Sequence, residues 1–297
     1  LLGSAPDFEY GTTPGVEWDV VECSGCHSRL LDPCPADSAI AGLYPSDYEP
    51  YRFHTLPGMV RRARDRVQLR KVDRIRSLVS ANATIVDIGC GNGALLELFR
   101  RYGEPEWKLV GWDFPGPHLD RLKELGVCVV AASIDEQHIG DLTADVVILN
   151  QVIEHFREPD KLIRLCHAIL KPGGNLVIET PNSYGLDARI FKSRYWGGYH
   201  IPRHLVVFNS DSLRTLLESN GYSVVLSENL ASPAFWIQSV HHWLADRRLG
   251  RPLARLFVVR NPILLGLATA FDVATARFRP TSNQRLIGRR SADISAP

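Results

Sequence analysis

Short apolar, β-branched runs alternate with amphipathic stretches through the middle of the chain. Thr84 to Ile88, Leu109 to Trp112, Val127 to Ala131, Val146 to Asn150 and Leu176 to Glu179 predict strands. Helical spacing fills the gaps at Ala94 to Tyr102, Pro117 to Leu125 and Asp160 to Leu170. That alternation predicts an α/β fold in which helices cover both faces of a parallel sheet. A helix over Ser212 to Asn220 leads into a strand at Ser223 to Leu226, and Arg285 to Gly288 is expected to supply a last strand. Upstream, Val60, Ala63, Val67, Val72, Ile75 and Val79 predict a leading helix over Met59 to Ser80, with arginines crowding its other positions.

The flanks break this rhythm. Pro6, Pro14, Pro33, Pro35, Pro45 and Pro50 interrupt every periodic pattern before residue 55, so 1–55 is expected to be an irregular appendage rather than a βα unit. The α/β core then spans 56–230, and 231–282 is a helical insertion before the last strand and tail at 283–297. The insertion mixes Arg247, Arg248, Arg251, Arg255 and Arg260 with the apolar run Pro262 to Phe271. An acceptor lid, a homodimer contact and peripheral contact with a membrane all fit that mixture.

Composition narrows the partners. With 34 basic against 33 acidic residues in 297, no global field draws the chain to nucleic acid. The chain lacks an apolar run long enough to span a bilayer, and Leu1 to Tyr10 lacks the pattern of a signal peptide, so a cytoplasmic address is expected. Six cysteines do not make a disulfide framework in a chain of this length; Cys90, Cys128 and Cys166 fall in apolar patterns and are expected in the core. Cys23 and Cys26 form half of a zinc knuckle, to which Cys34 or His27 would have to add ligands.

The run from Thr84 to Leu96 carries most of the chemistry. A buried strand enters a turn containing Gly89, Gly91 and Gly93, and a helix follows with its amides facing the turn, which is a design for close backbone approach to a ligand. Gly89, Gly91 and Ala94 also satisfy the dinucleotide fingerprint, so an NAD-dependent oxidoreductase stays open at this point. Asp87 favours a ligand with a cationic amino group, because a carboxylate there is poorly placed beside a pyrophosphate. Asp113 closes the next strand, where an acid accepts ribose hydroxyls in either reading.

Residues 84–226 resemble the class I S-adenosylmethionine-dependent methyltransferases, in the branch holding the ubiquinone-type and sugar methyltransferases. The resemblance rests on the glycine loop, on Asn150-Gln151-Val152-Ile153-Glu154-His155-Phe156, and on Leu170-Lys171-Pro172-Gly173-Gly174 with the strand that follows. It implies a Rossmann-like, doubly wound sheet of seven strands with the last antiparallel. It also implies that Asp87, Gly89, Gly91 and Gly93 hold the methionine part of S-adenosyl-L-methionine, with Asn150 on the same edge. Asp113 would hold the ribose, Phe114 and Ile134 would flank the adenine, and Ser133 or Asp135 would lie near its edge. Sugar methyltransferases of this branch often open with paired cysteines; here Leu1 and Leu2 stand where the first pair ends, which implies either a degenerate zinc site or a structural zinc ion held at Cys23 and Cys26.

The donor is already activated, so the enzyme's remaining task is to align a small-molecule acceptor and remove its proton. His155, just beyond the fourth strand, is one candidate base, with Glu154 to orient it or to contact the donor. His204 is the second, within the glycine- and aromatic-rich loop from Trp196 to Phe208. His204 matches the histidine of sugar C-methyltransferases, but Arg203 and Ile201 replace its companion acid and tyrosine. O-methylation of a sugar, phenol or lipid-linked intermediate is therefore the expected chemistry, with sugar C-methylation as an alternative and a catalytically silent binding protein as the reading from another class. Arg203 is expected either to bind an acidic group of the acceptor or to form a loop ion pair.

Overall fold

The computed structural model describes residues 1–45, 68–247 and 250–291. The chain opens with strands β1 (Gly3–Ala5), β2 (Trp18–Glu22) and β3 (Arg29–Asp32), then the helical turn α1 (Asp37–Ile40) and helix α2 over 68–76. The core runs β4 (Thr84–Ile88), α3 (Ala94–Tyr102), β5 (Lys108–Asp113), α4 (Asp120–Glu124), β6 (Cys128–Ala131), β7 (Ala144–Asn150), α5 (Pro159–Ile169) and β8 (Leu170–Pro181). It continues through α6 (Leu186–Ile190), β9 (Val206–Val207), α7 (Ser210–Ser219) and β10 (Tyr222–Leu230). Helices α8 (Pro233–Ala245), α9 (Arg251–Ala254) and α10 (Pro262–Thr275) precede β11 (Asn283–Arg290).

Seven strands form one sheet in the order β10-β11-β8-β7-β4-β5-β6. The pairs β8–β7, β7–β4, β4–β5 and β5–β6 are parallel, and β11 lies antiparallel between β8 and β10. This is the expected Rossmann-like sheet with its last strand reversed. Alternation along the strands allots each face its side chains: Val86, Ile88, Val147 and Leu149 pack beneath α5, while Ile85, Leu109, Val146 and Ile148 pack with α2, α3 and α4. Part of the expected leading helix, 59–67, lies outside the described residues; 68–76 is helical and sets Val72 and Ile75 into the second face.

Three expectations change. Residues 1–45 are not irregular: β1, β2 and β3 form a small antiparallel sheet completed by β9, and Ala5, Val20 and Leu31 join the main core. Pro6, Pro14, Pro33, Pro35 and Pro45 misled because they sit in the connections, outside the three short strands; Pro50 lies outside the described residues. Cys128 is exposed on the edge strand β6, while Cys90 and Cys166 are buried as expected. Helix α7 starts two residues earlier than its apolar period suggests, because the Asn209 side chain accepts from the amides of Asp211 and Ser212 and caps it. Among the described residues, no helix is long and apolar enough to cross a membrane.

Candidate active site

The carboxyl ends of β4, β5, β7 and β8 carry Asp87, Asp113, Asn150 and Glu179, and the strand register puts Asn150 directly beside Glu179. The turn after β4 is built from left-handed glycines. At Gly89 (φ +69) an added Cβ would meet Val152 at 2.6 Å, and at Gly93 (φ +74) it would meet Leu122 at 2.0 Å. The Asp113 carboxylate accepts from the amides of Gly91 at 2.6 Å and Phe114 at 2.7 Å, and so ties the end of β5 to the glycine turn. A carboxylate offers about four lone-pair sites, so two remain for a vicinal diol. Phe114 is 56% exposed beside it, a free aromatic face at the rim.

Asp87 is buried, and that burial pushes its carboxyl up to about 8; Lys71 opposes the shift, and the negative neighbours Asp113 and Glu179 add to it. The site therefore favours an incoming cation. Lys71, from α2, reaches the same edge: its Nζ lies 2.5 Å from Glu179 Oε2 and donates to Asn150 Oδ1 at 2.9 Å. Burial disfavours the Glu179 charge, yet Lys71 and Arg285 hold it below its ordinary value. Neither Lys71 nor Glu179 was singled out from sequence. Lys71 was one of many basic residues on a helix whose rotation the pattern leaves loose, and Glu179 read as the polar end of a strand.

The adenine-side candidates follow β6. Ile134 packs against the core, and Ser133 sits exposed beside it. Asp135 accepts from the Gln137 amide at 3.0 Å and pairs with His138 at 2.7 Å, which makes it the cap of a short turn. The residues present fit the donor that the fold implies: a turn of left-handed glycines, two buried carboxylates and an aromatic rim.

Immediately after Asn150 the chain takes a left-handed step at Gln151 (φ 58) into a tight turn at Ile153–His155. That turn meets the loop around His204. The Leu205 amide donates to the Glu154 carbonyl at 2.8 Å, and the Leu31 amide donates to the Leu205 carbonyl at 3.0 Å, so β3, the loop and the turn are stitched together by backbone. The rings of His155 and His204 stand edge to face with centroids 4.7 Å apart. Burial pushes His155 down to about 3 and His204 well below its usual range, and it lifts Glu154 up to about 8 against the Thr180 hydroxyl bond. In the free protein all three groups are uncharged near neutral pH.

One expected role is revised here, and two that were left open are narrowed. Glu154 does not orient His155: its Oε2 accepts from Thr180 at 2.9 Å and its Oε1 faces His204 Nε2 at 3.9 Å, while His155 is held by Tyr44 and the Arg203 carbonyl, each 3.0 Å from Nδ1. Glu154 thus places a carboxylate beside His204 that the loop's own sequence lacks. Arg203 does not await an acceptor. It is fully buried, pairs with Asp7 at 2.9 Å, donates to the Leu43 and Ile201 carbonyls, and lies over the Tyr10 ring. Burial works against the Asp7 charge, but Arg203 and the amides of Tyr10 and Thr12 hold its carboxyl below the usual carboxylate range. The cysteine corner gathers no further ligand among the described residues: His27 faces Glu22 at 3.5 Å, and the Cys34 thiol is turned to the Leu31 carbonyl.

The insertion closes over this side. Ser239 of α8 accepts from the Gly197 amide at 2.9 Å, His242 bonds the Tyr195 carbonyl at 3.2 Å, and Glu9 joins His200 and Gln238.

A family model described as a methyltransferase domain matches residues 59–227, more than half of the chain. The chain is 31% identical over 186 residues to the mitochondrial ubiquinone biosynthesis O-methyltransferase of Mus musculus, covering 56% of this chain and 47% of that protein. It is 33% identical over 113 residues to the ubiquinone biosynthesis O-methyltransferase of Xanthomonas axonopodis pv. citri (strain 306), covering 35% and 46%. The chain thus spans about half the length of the relatives it matches. Among solved structures, the Burkholderia thailandensis 1,6-didemethyltoxoflavin-N1-methyltransferase with its substrate and S-adenosylhomocysteine superposes with a TM-score of 0.52 at 16% identity, over 94% of this chain and 96% of that one. The [4+2]-cyclase SpnF gives 0.51 at 19% identity over 77% and 81%. At these identities the structures share the fold alone.

Proposed function

This chain belongs to the methyltransferase-domain family, within the class I S-adenosylmethionine-dependent methyltransferases of the ubiquinone-type branch, and on that premise we propose that it O-methylates a small-molecule acceptor. One observation carries the reading: the acid-lined glycine turn and the Glu154–His155–His204 cluster occupy the same carboxyl edge, joined by Asn150 and the left-handed step at Gln151.

S-adenosylmethionine supplies a methyl group on a positively charged sulfur, so the acceptor oxygen forms the new C–O bond as the C–S bond breaks and the sulfur keeps the electron pair. Asp87 receives the donor's ammonium group, and Lys71 receives its carboxylate. Asp113 takes the ribose hydroxyls through the lone pairs that Gly91 and Phe114 leave open. Phe114 and Ile134 flank the adenine, with Ser133 and Asp135 toward its edge. The acceptor hydroxyl is directed to the His155 and His204 Nε2 atoms, where its proton leaves; burial keeps both imidazoles neutral, so each enters the step with a lone pair free, and a negative charge developing on the acceptor or on Glu154 is what raises their low basicity. The N-terminal sheet, the loop at 196–208 and α8 exclude water from that step. Of the sugar, phenol and lipid-linked acceptors expected, a phenol or lipid-linked intermediate suits best the buried Tyr199, Ile201 and Val207 around His204.

A peripheral membrane contact belongs to the same reading. Helix α10 exposes Ile263, Leu267 and Phe271, and Phe278 beyond it is 87% exposed between Arg277 and Arg279, the pattern of an interfacial helix meeting anionic lipid.

The test is calorimetric titration with S-adenosylmethionine, S-adenosylhomocysteine and NAD, with Asp113→Ala as control. Micromolar binding of both sulfur ligands, lost in the variant and absent for NAD, is the expected result. Binding of NAD alone would overturn the assignment.

A further inference from the structure

We propose that a row of alternating charges crossing the sheet, Glu228, Arg285 and Glu179 with Arg74 and Lys71 packed on it, sets the charge that Lys71 presents to the donor's carboxylate, and that Arg285 is thereby a positioning residue for donor selection. That role depends on the donor's carboxylate lying at Lys71, as proposed above, and it accounts for selection of donors that carry an amino-acid head.

The row is built by strand register. Glu228 on β10 stands opposite Arg285 on β11, Arg285 opposite Glu179 on β8, and Glu179 beside Asn150 on β7, the strand next to β4 and its glycine turn. Residues paired across strands share a face of the sheet, so these strands contribute one polar line that ends at the donor edge. Each carboxylate divides its oxygens between two cations. Glu179 Oε1 accepts from Arg285 Nε at 2.9 Å and from Nη2 at 2.6 Å, while its Oε2 lies 2.5 Å from Lys71 Nζ. Glu228 Oε1 accepts from Arg285 Nη1, and its Oε2 accepts from Arg74 Nη2 at 3.2 Å. Lys71 and Arg74 stand one turn apart on α2, so a single helix face supplies both.

The charges of the row do not cancel. Lys71, Arg74 and Arg285 face only Glu179 and Glu228, so one positive charge is in excess, and the donor's carboxylate brings it to balance. Asp87 stays outside this balance: its raised carboxyl is protonated near neutral pH and ionises as the donor's ammonium arrives. Arg285 decides where the excess sits. Burial disfavours its guanidinium charge, yet Glu179 and Glu228 raise its value above the ordinary one, and both carboxylates draw on the one side chain. By neutralising Glu179 from the Oε1 side, Arg285 leaves part of the Lys71 charge unspent. Among the described residues, Glu179 and Asn150 engage two of the Nζ protons, which leaves the third to the donor. Without Arg285, Lys71 becomes the whole counter-charge of a buried carboxylate, and a donor carboxylate brought to it meets a like charge already there.

Calorimetry on the full chain with two ligands separates this role from a merely structural one. S-adenosylhomocysteine carries the amino-acid head, and 5′-methylthioadenosine keeps the adenosine and the thioether without it. Arg285→Met is expected to weaken S-adenosylhomocysteine binding about tenfold and to leave 5′-methylthioadenosine binding unchanged, with Arg285→Lys recovering part of the loss. Glu228→Gln, which raises the excess positive charge, is expected to tighten S-adenosylhomocysteine binding about threefold. Glu228 is partly exposed, so this second variant reads the row even where Arg285→Met does not fold. Unchanged S-adenosylhomocysteine affinity in Arg285→Met, an equal loss of both ligands, or weaker binding in Glu228→Gln would each overturn the role of the row. A wild type that binds the two ligands equally would instead remove the carboxylate from Lys71, and one that binds neither would sink the donor assignment.

Discussion

The two halves of the site are assembled in opposite ways. The donor edge is local: Asp87 and the three glycines lie within seven residues, and Asp113 follows one helix later on the neighbouring strand. The acceptor cluster is gathered from Asp7 and Tyr44 near the start, the turn at Ile153–His155, the loop at 196–204 and α8. A local site needs only a strand, a turn and a helix to form, whereas the distributed one exists only when the N-terminal sheet, the core and the insertion have packed. The acceptor half is therefore the half that depends on remote contacts, and the two should fail separately.

The largest separation is expected at the Asp7–Arg203 pair. Arg203→Met leaves a buried carboxylate without its partner and lowers unfolding free energy by about 3 to 5 kcal/mol, measured by denaturant titration. Because the folded Asp7 carboxyl sits below its unfolded value, the pair's contribution is complete at neutral pH and is lost as pH falls below the ordinary carboxylate range. A variant as stable as wild type would show that the N-terminal sheet does not hold the acceptor side in place.

Next in size, Glu154→Gln or His204→Ala is expected to lower turnover by about a hundredfold or more, while calorimetric affinity for S-adenosylhomocysteine stays unchanged. Parallel losses of both would make the halves one unit. On the donor edge, Lys71→Met removes a charged hydrogen-bonding partner and is expected to weaken donor binding by about ten- to a hundredfold, in line with about 1.5 to 3 kcal/mol for such bonds. Donor affinity should also rise with pH and level off near 8: a bound ammonium lowers the raised Asp87 value, so binding releases a proton below it. Calorimetry in buffers of different ionisation enthalpy counts that proton, and a count of zero at pH 7 would remove Asp87 as the ammonium partner. The smallest effect on chemistry belongs to the rim: Leu267→Ser with Phe278→Ser leaves turnover on a water-soluble acceptor unchanged but abolishes sedimentation with anionic vesicles.

The sheet was legible because its strands are buried on both faces and its helices amphipathic, so periodicity marks both. Helix α3 begins and ends where its pattern does, between Gly93 and Gly103, and the glycines that must turn left-handed identify themselves by residue type. The strands of 1–45 were missed because each is three to five residues long, too short for alternation to register above the prolines between them.

Thus the local order of residues determined the centre of the donor edge: strand, glycine turn, helix and two acids at fixed spacing. Tertiary structure alone decided that Lys71 rather than a neighbouring arginine reaches Asn150 and Glu179, that Arg203 is spent on Asp7, and that Glu154 faces His204 instead of orienting His155. The physical reason is that charge pairing and burial depend on which distant surfaces meet, and such meetings leave no periodicity in the segments that take part.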